Sequence, residues 1–232
     1  LAVWAAAFYG HPTRDLLTIG VTGTNGKTSV CHFVAHLLGD DDTAVLSTVA
    51  NFARGLRALT TPPSPIVQRF AREALDAGCR TLVVEASSIG LEQRRLDGID
   101  FQVAVFTNLT RDHLDLHGTM AAYGEAKALL FRALAPSGCG VLNGDDAFSK
   151  ALRAACRSRT LTYGLQPDAD LAGELRAEDR YGIALRLRWH DERADVALPL
   201  HGRHGASNAL AACGAALAAG RPFATLVDRL ET

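Results

Sequence analysis

The chain has no apolar run long enough to span a bilayer, and its apolar start, LAVWAAAFYG, carries neither a basic flank nor a cleavage pattern. No membrane insertion and no secretory leader are therefore expected. It also lacks basic clusters interleaved with aromatics, and its 24 Lys and Arg against 25 Asp and Glu give a net charge of −1. That balance argues against a nucleic-acid partner, whose phosphate backbone demands a basic face. Cysteine is sparse: Cys31, Cys79, Cys139, Cys156 and Cys213 are odd in number, scattered and without a C-x-x-C spacing. This excludes a disulfide framework or zinc site and points to a reducing, cytoplasmic setting. Internal repeats and low-complexity linkers are missing, and so is an initial methionine. Because Leu1 enters a helix-like segment in mid-pattern, the sequence is expected to be part of something longer.

What is present suits a soluble globular domain, since 232 residues with 48% hydrophobic content can bury a full core. Short apolar runs read as strands: LLTIGV, TAVLST, TLVVEAS, FQVAVFTN, CGVLNG and LTYGL. Helix-like segments alternate with them, such as SPIVQRFAREALDAG, with Pro65 in its first turn and Gly78 beyond its end. Alternation of this kind predicts an α/β fold of the P-loop type, a mostly parallel sheet flanked by helices, over residues 15–165. From 166 to 204 the segments LAGELRAE, YGIALRLRW and RADVALPL predict a small antiparallel β segment on the sheet edge. Closing helices are expected over 205–232, with Ser207 as an N-cap and Gly220 as the C′ residue.

The stretch LTIGVTGTNGKTSV, Leu17 to Val30, is an apolar run, a loop with Gly23 and Gly26, then Lys27 and Thr28 opening a helical pattern. In that order a glycine loop can aim backbone N–H groups at an anion, Lys27 adds a charge on the phosphates and the Thr28 hydroxyl can reach Mg²⁺. The usual G-x-x-x-x-G-K-[ST] spacing would place glycine where Val21 stands, so the loop is a variant, and an ordinary glycine-rich βα turn is the alternative. Ligands of an open parallel sheet gather at the carboxyl ends of its strands. That rule selects Glu85 at the end of TLVVE, Asn108 at the end of FQVAVFTN, and Asp112 and His113 just beyond. An acid there suits Mg²⁺, a hard cation that prefers oxygen.

The combination of TGTNGKTS, TTPPS, VVEASSIGLEQRRL and FTNLTRDHLDLHGTMAAYGEAKALLF resembles the Mur ligases, and among them the MurE-type UDP-N-acetylmuramoyl-dipeptide ligases. The similarity runs from Ala6 to the end and covers that family's central ATPase domain; TGTNGKT alone is shared with folylpolyglutamate synthetases. The resemblance implies that Gly23, Thr24, Asn25, Gly26, Lys27, Thr28 and Ser29 hold the phosphates of ATP, and that Asn208 reads adenine. It implies two Mg²⁺ ions, with Thr28, Glu85, His113 and Lys127 as ligands, Lys127 in its carbamylated form. Lys27, His113 and Lys127 would be the catalytic residues, and Thr60, Thr61, Ser87, Gln93 and Arg95 would grip the UDP-muramoyl peptide. By spacing alone, Lys127 reads as an exposed helical lysine paired with an acid.

Three positions depart from the family pattern: Ile89 stands for a histidine, Leu59 for an asparagine, and Gly205 for the first asparagine of N-x-x-N. His117 and His204 have no assigned role and read as residues of the surface or of the site's surroundings, and Arg94 as a solvated charge. The implied reaction is ATP-dependent amide formation through an acyl phosphate, adding an amino acid, meso-diaminopimelate, to UDP-N-acetylmuramoyl-L-Ala-D-Glu in peptidoglycan synthesis. Such an enzyme would be cytoplasmic and monomeric when full length, with N-terminal uridine-holding and C-terminal amino-acid-selecting domains beyond this chain. The competing readings are a folylpolyglutamate synthetase-like ligase and a non-catalytic P-loop domain.

Overall fold

The computed structural model describes residues 1–49 and 59–231. Among them, nine strands form one sheet in the order β2-β3-β1-β4-β5-β6-β7-β8-β9. The parallel part comprises β1 (Leu17–Thr22), β2 (Thr43–Leu46), β3 (Thr81–Glu85), β4 (Phe101–Phe106), β5 (Leu134–Asn143) and β6 (Arg159–Gly164). β7 (Leu171–Asp179), β8 (Gly182–Trp189) and β9 (Glu192–Leu198) run antiparallel to one another. The helices are α1 (Ala2–Phe8), α2 (Lys27–Leu38), α3 (Ser64–Asp76), α4 (Ser88–Glu92), α5 (Leu114–His117), α6 (Met120–Arg132), α7 (Ser149–Ala155), α8 (Gly202–Ala218) and α9 (Phe223–Leu230). None of the described helices is long and apolar enough to cross a membrane.

The central strands are mostly apolar because both faces of the sheet are covered. Ile19, Val21, Val83, Val103 and Val105 pack on one face with Val30 and Val34 of α2 and Ala209, Ala212 and Ala216 of α8. Their sequence neighbours Leu82, Val84, Ala104 and Phe106 point the other way, against Val67 and Phe70 of α3 and Leu130 of α6. A period of two thus feeds two cores from each strand. α8 is built largely of Ala, with Gly214 where the helix comes so near β5 that an added Cβ would lie 2.9 Å from Val141 Cγ1.

β7 pairs with β6 in parallel only at Tyr163↔Leu171 and Gly164↔Ala172. Since β7 starts where β6 ends, the β7–β9 ribbon continues past the carboxyl edge of the parallel sheet. The antiparallel segment is therefore attached by a short parallel step rather than by a meander alone. α8 begins at Gly202, ahead of the expected start of the closing helices at 205, and Ser207 lies inside the helix instead of capping it. The Glu178 side chain of β7 accepts the Gly202 N–H at 2.8 Å, so the role sought in a local hydroxyl is filled across space by a carboxylate. At the other end Gly220, at φ +88°, follows the helix as C′.

Candidate active site

The loop between β1 and α2 turns through Gly23 (φ +154°) and Gly26 (φ +83°). Glycine is required at both: a Cβ would lie 1.8 Å from Thr107 Oγ1 at Gly23 and 2.3 Å from Asn208 Oδ1 at Gly26. Asn208, from α8, thus abuts the phosphate loop itself. Val21 is fully buried and in register with Glu85 and Val105, so it is a strand residue and the loop begins two positions later. The segment after β4 holds the loop in place. The Thr24 N–H donates to Asn108 O (2.8 Å), the Asn25 N–H to Asn108 Oδ1 (2.9 Å), and Thr107 Oγ1 to Asn25 O (2.6 Å). Lys27 Nζ donates to Gly23 O (3.1 Å) and Thr24 O (2.9 Å). Its pKa is lowered by burial, against the opposing charge of Glu85. Thr28 and Ser29 occupy the first turn of α2, Ser29 exposed.

Glu85 ends β3 and is only 3% exposed. A buried carboxylate must be met by donors, and Glu85 Oε2 accepts from Thr28 Oγ1 (3.0 Å), the Thr48 N–H (2.9 Å) and Thr48 Oγ1 (3.1 Å). Its main-chain oxygen accepts from Thr61 Oγ1 at 2.7 Å. Thr61 Oγ1 in turn accepts from the Ser87 N–H and Ser87 Oγ, both at 2.9 Å. Ser87 Oγ caps α4 by accepting from the Gly90 N–H (3.1 Å). Arg95 donates to Thr61 O (2.7 Å) and to the Gln93 side chain, while Thr60 Oγ1 lies 3.2 Å from Thr48 Oγ1. The five residues expected to grip a second substrate therefore converge beside Glu85. Leu59, 40% exposed, flanks Thr60, and Ile89 lies half-buried in α4.

Lys127 is not an exposed helical lysine: it is 1% exposed. Its ammonium donates to Gly23 O (2.9 Å) and sits 4.0 Å from the Tyr123 ring centroid. Burial, and secondarily the charge of Lys27, lowers its pKa to about 7 against the pull of Asp112. An amine so placed has a sizeable neutral, nucleophilic fraction near pH 7, where an ordinary lysine has almost none. His113 (φ +51°) lies on the same rim, exposed, with Nε2 3.7 Å from Asp112 Oδ2 and its ring edge-on to Tyr123. The structure thus joins Thr28 directly to Glu85 and Lys127 to the phosphate loop, whereas the polar contact of His113 is with Asp112. Among the described residues, no three His, Cys, Asp or Glu side chains form a metal cluster. A cation here would draw on the Thr28 hydroxyl and the Glu85 carboxylate, oxygen donors that fit Mg²⁺.

Arg94 is exposed and paired with Asp97 at 3.5 Å, and His204 is exposed. Of the two places expected for His117, the structure gives the site's surroundings and not the surface: it is buried, with Nε2 3.0 Å from Ser88 Oγ. Gly205 sits so close to Leu200 that an added Cβ would lie 3.0 Å from the Leu200 Cβ, which gives this departure a packing reason. Three contributors escaped sequence reasoning. Thr48 gives Glu85 two hydrogen bonds, Tyr123 donates to Thr24 Oγ1 at 3.2 Å, and Asp146 accepts the Leu109 N–H at 2.7 Å. The only sequence signal for them was position, Thr48 and Asp146 each lying just past an apolar strand.

A glycine loop between a central parallel strand and a helix, an acid from the adjacent strand on its threonine, and a cluster of hydroxyl side chains beside that acid define a P-loop-type nucleotide-binding α/β domain. Residues 21–216 match the Mur ligase middle domain, and the chain belongs to the Mur ligase family. It is 39% identical over 242 residues to the UDP-N-acetylmuramoyl-L-alanyl-D-glutamate–2,6-diaminopimelate ligase of Bacillus licheniformis, covering 100% of this chain and 50% of that protein. It is also 36% identical over 240 residues to the corresponding L-lysine ligase of Staphylococcus aureus, covering 99% of this chain and 48% of the relative. A solved 2,6-diaminopimelate ligase superposes with a TM-score of 0.82 at 35% identity, over 93% of this chain and 46% of that one. The chain spans about half the length of the curated relatives it matches.

Proposed function

We propose that the chain is the central ATP-binding domain of a cytoplasmic, MurE-like ligase that adds meso-diaminopimelate to UDP-N-acetylmuramoyl-L-Ala-D-Glu through an acyl phosphate. The observation that carries this reading is the double engagement of Glu85. Its side chain holds Thr28 of the phosphate loop, and its main-chain oxygen holds Thr61 of the neighbouring groove. One residue thus touches both the loop read as holding the nucleotide and a residue read as holding the second substrate, which supports an arrangement that brings a γ-phosphoryl group to an acceptor carboxylate. A pure nucleotide switch has no need of that second surface.

In this reading Gly23 to Ser29 receive the phosphates of ATP and Asn208 meets the adenine. Lys27 turns from its loop carbonyls to the transferring phosphoryl group, where it offsets developing charge. Thr60, Thr61, Ser87, Gln93 and Arg95 hold the UDP-muramoyl peptide, with Arg95 suited to bidentate contact with an anionic oxygen pair. Thr28, Glu85, His113 and carbamylated Lys127 serve the two Mg²⁺ ions, which when bound would neutralise charge on the transferring group. The neutral amine of Lys127 supplies the condition for carbamate formation. The N- and C-terminal domains of the longer enzyme supply uridine binding and the amino-acid site, and the intact protein acts as a monomer.

The test is phosphate release by the intact ligase with ATP and UDP-N-acetylmuramoyl-L-Ala-D-Glu, offered diaminopimelate or L-lysine. Turnover that requires the muramoyl dipeptide, with amide product from diaminopimelate, supports the proposal. Amide product from lysine alone would reassign the amino acid, and ATP turnover indifferent to the muramoyl dipeptide would refute the function.

A further inference from the structure

His117 ends α5 with its side chain 0% exposed, and nothing in the reaction sketched above uses it. Its Nε2 lies 3.0 Å from Ser88 Oγ, and its Nδ1 lies 3.4 Å from Glu92 Oε2, buried and without a hydrogen bond at that separation. A carboxylate only accepts, so the proton belongs on Nδ1, facing Glu92. Nε2 is then left as an acceptor, and the Ser88 hydroxyl donates to it. Ser88 is the first residue of α4, directly after Ser87, which holds Thr61 and caps the same helix. On its other side the His117 ring stacks on Tyr123, at 5.1 Å between centroids and 29° between planes. Tyr123 lies beneath the Lys127 amine and donates to Thr24 of the phosphate loop.

We propose that His117 is a positioning residue for the acceptor groove: buried beside Glu92 and stacked on Tyr123, it fixes the Ser88 hydroxyl and the first turn of α4. Ser87, Gln93 and Arg95 are thereby kept in register with the phosphate loop and Lys127. The inference rests on the proposed ligase function and deepens it, because it assigns the link between the two halves of the site to a particular imidazole. Loss of a buried acceptor leaves the Ser88 hydroxyl unpaired and frees the turn that carries the groove.

The experiment uses the intact ligase and compares wild type with His117→Phe, which keeps a stacking ring but no acceptor, with His117→Gln, whose amide oxygen can accept, and with Ser88→Ala. His117→Phe is expected to raise KM for the UDP-muramoyl dipeptide about tenfold, with KM for ATP essentially unchanged. His117→Gln should recover much of that loss. Ser88→Ala should show the same selectivity, and Ser88→Ala combined with His117→Phe should be no worse than His117→Phe alone. Should His117→Phe fail to fold, Ser88→Ala and His117→Gln carry the comparison. Equal changes in both KM values, no change in either, or additive losses would overturn the positioning role. Wild-type protein that does not ligate the muramoyl dipeptide would instead defeat the ligase reading, and this inference with it.

Discussion

Replacing Lys127 with methionine should stabilise the protein at low pH while abolishing its function. In an unfolded chain this ammonium keeps its proton up to its ordinary pKa of 10.5, but in the folded protein burial brings that to about 7. Between those values the unfolded chain binds the extra proton, so the wild type gains stability as pH rises through that window. Below about 7 the folded protein must carry a buried ammonium, at a cost of about 5 kcal/mol, from 1.36 kcal/mol for each pKa unit. Methionine matches the length and removes the charge. Gly23 O keeps Lys27 Nζ at 3.1 Å when the Lys127 donor is lost, which limits the offsetting penalty.

Allowing for that contact and for the Tyr123 ring, Lys127→Met should exceed wild type by roughly 3 kcal/mol near pH 6, with the margin shrinking towards about pH 9. Urea unfolding of the 232-residue chain at the two pH values measures it. A variant less stable than wild type near pH 6, or a margin independent of pH, would refute the reasoning. In the intact ligase, Lys127→Ala should lose most activity, and formate should restore part of it by placing carboxylate oxygens where the proposed carbamate would lie. A near-normal rate without formate would remove the carbamate proposal.

Lys27→Ala should abolish ATP-dependent turnover in the intact ligase, because the charge that offsets the transferring phosphoryl group is gone; retained steady-state turnover would remove the phosphate-loop assignment. Glu85→Gln should raise the Mg²⁺ concentration needed for half-maximal rate and lower kcat, since a carboxylate beside Thr28 becomes an amide. An unchanged Mg²⁺ titration would make Glu85 a structural acid only. Arg95→Ala should raise KM for the muramoyl dipeptide more than for ATP, as its guanidinium organises Thr61 and Gln93 rather than the phosphate loop. Equal losses for both ligands would mean that the groove is misplaced.

The sequence by itself determined what depends on local pattern. Apolar runs alternating with helical segments specified the parallel strands, because buried strands between covered faces need side chains of one kind whatever lies around them. The glycines of TGTNGKT marked the tight loop between β1 and α2, since Gly23 and Gly26 occupy positions where a Cβ would clash. Glu85 was legible because an acid at the end of an apolar strand requires a partner. Tertiary structure alone decided the rest. The surroundings of Lys127 are made by Gly23, Lys27 and Tyr123, two of them about a hundred residues away, so helical spacing pointed to an exposed lysine where a buried amine stands. Thr48 and Glu85, separated by 37 residues, meet only when β2 and β3 pair. His117 becomes a buried link only once α5 folds against α4, and Glu178 displaces Ser207 as the acid or hydroxyl at the α8 start only because β7 runs past the sheet edge. Burial and partnership are properties of what the fold brings near, and a linear pattern records only what lies within a few residues along the chain.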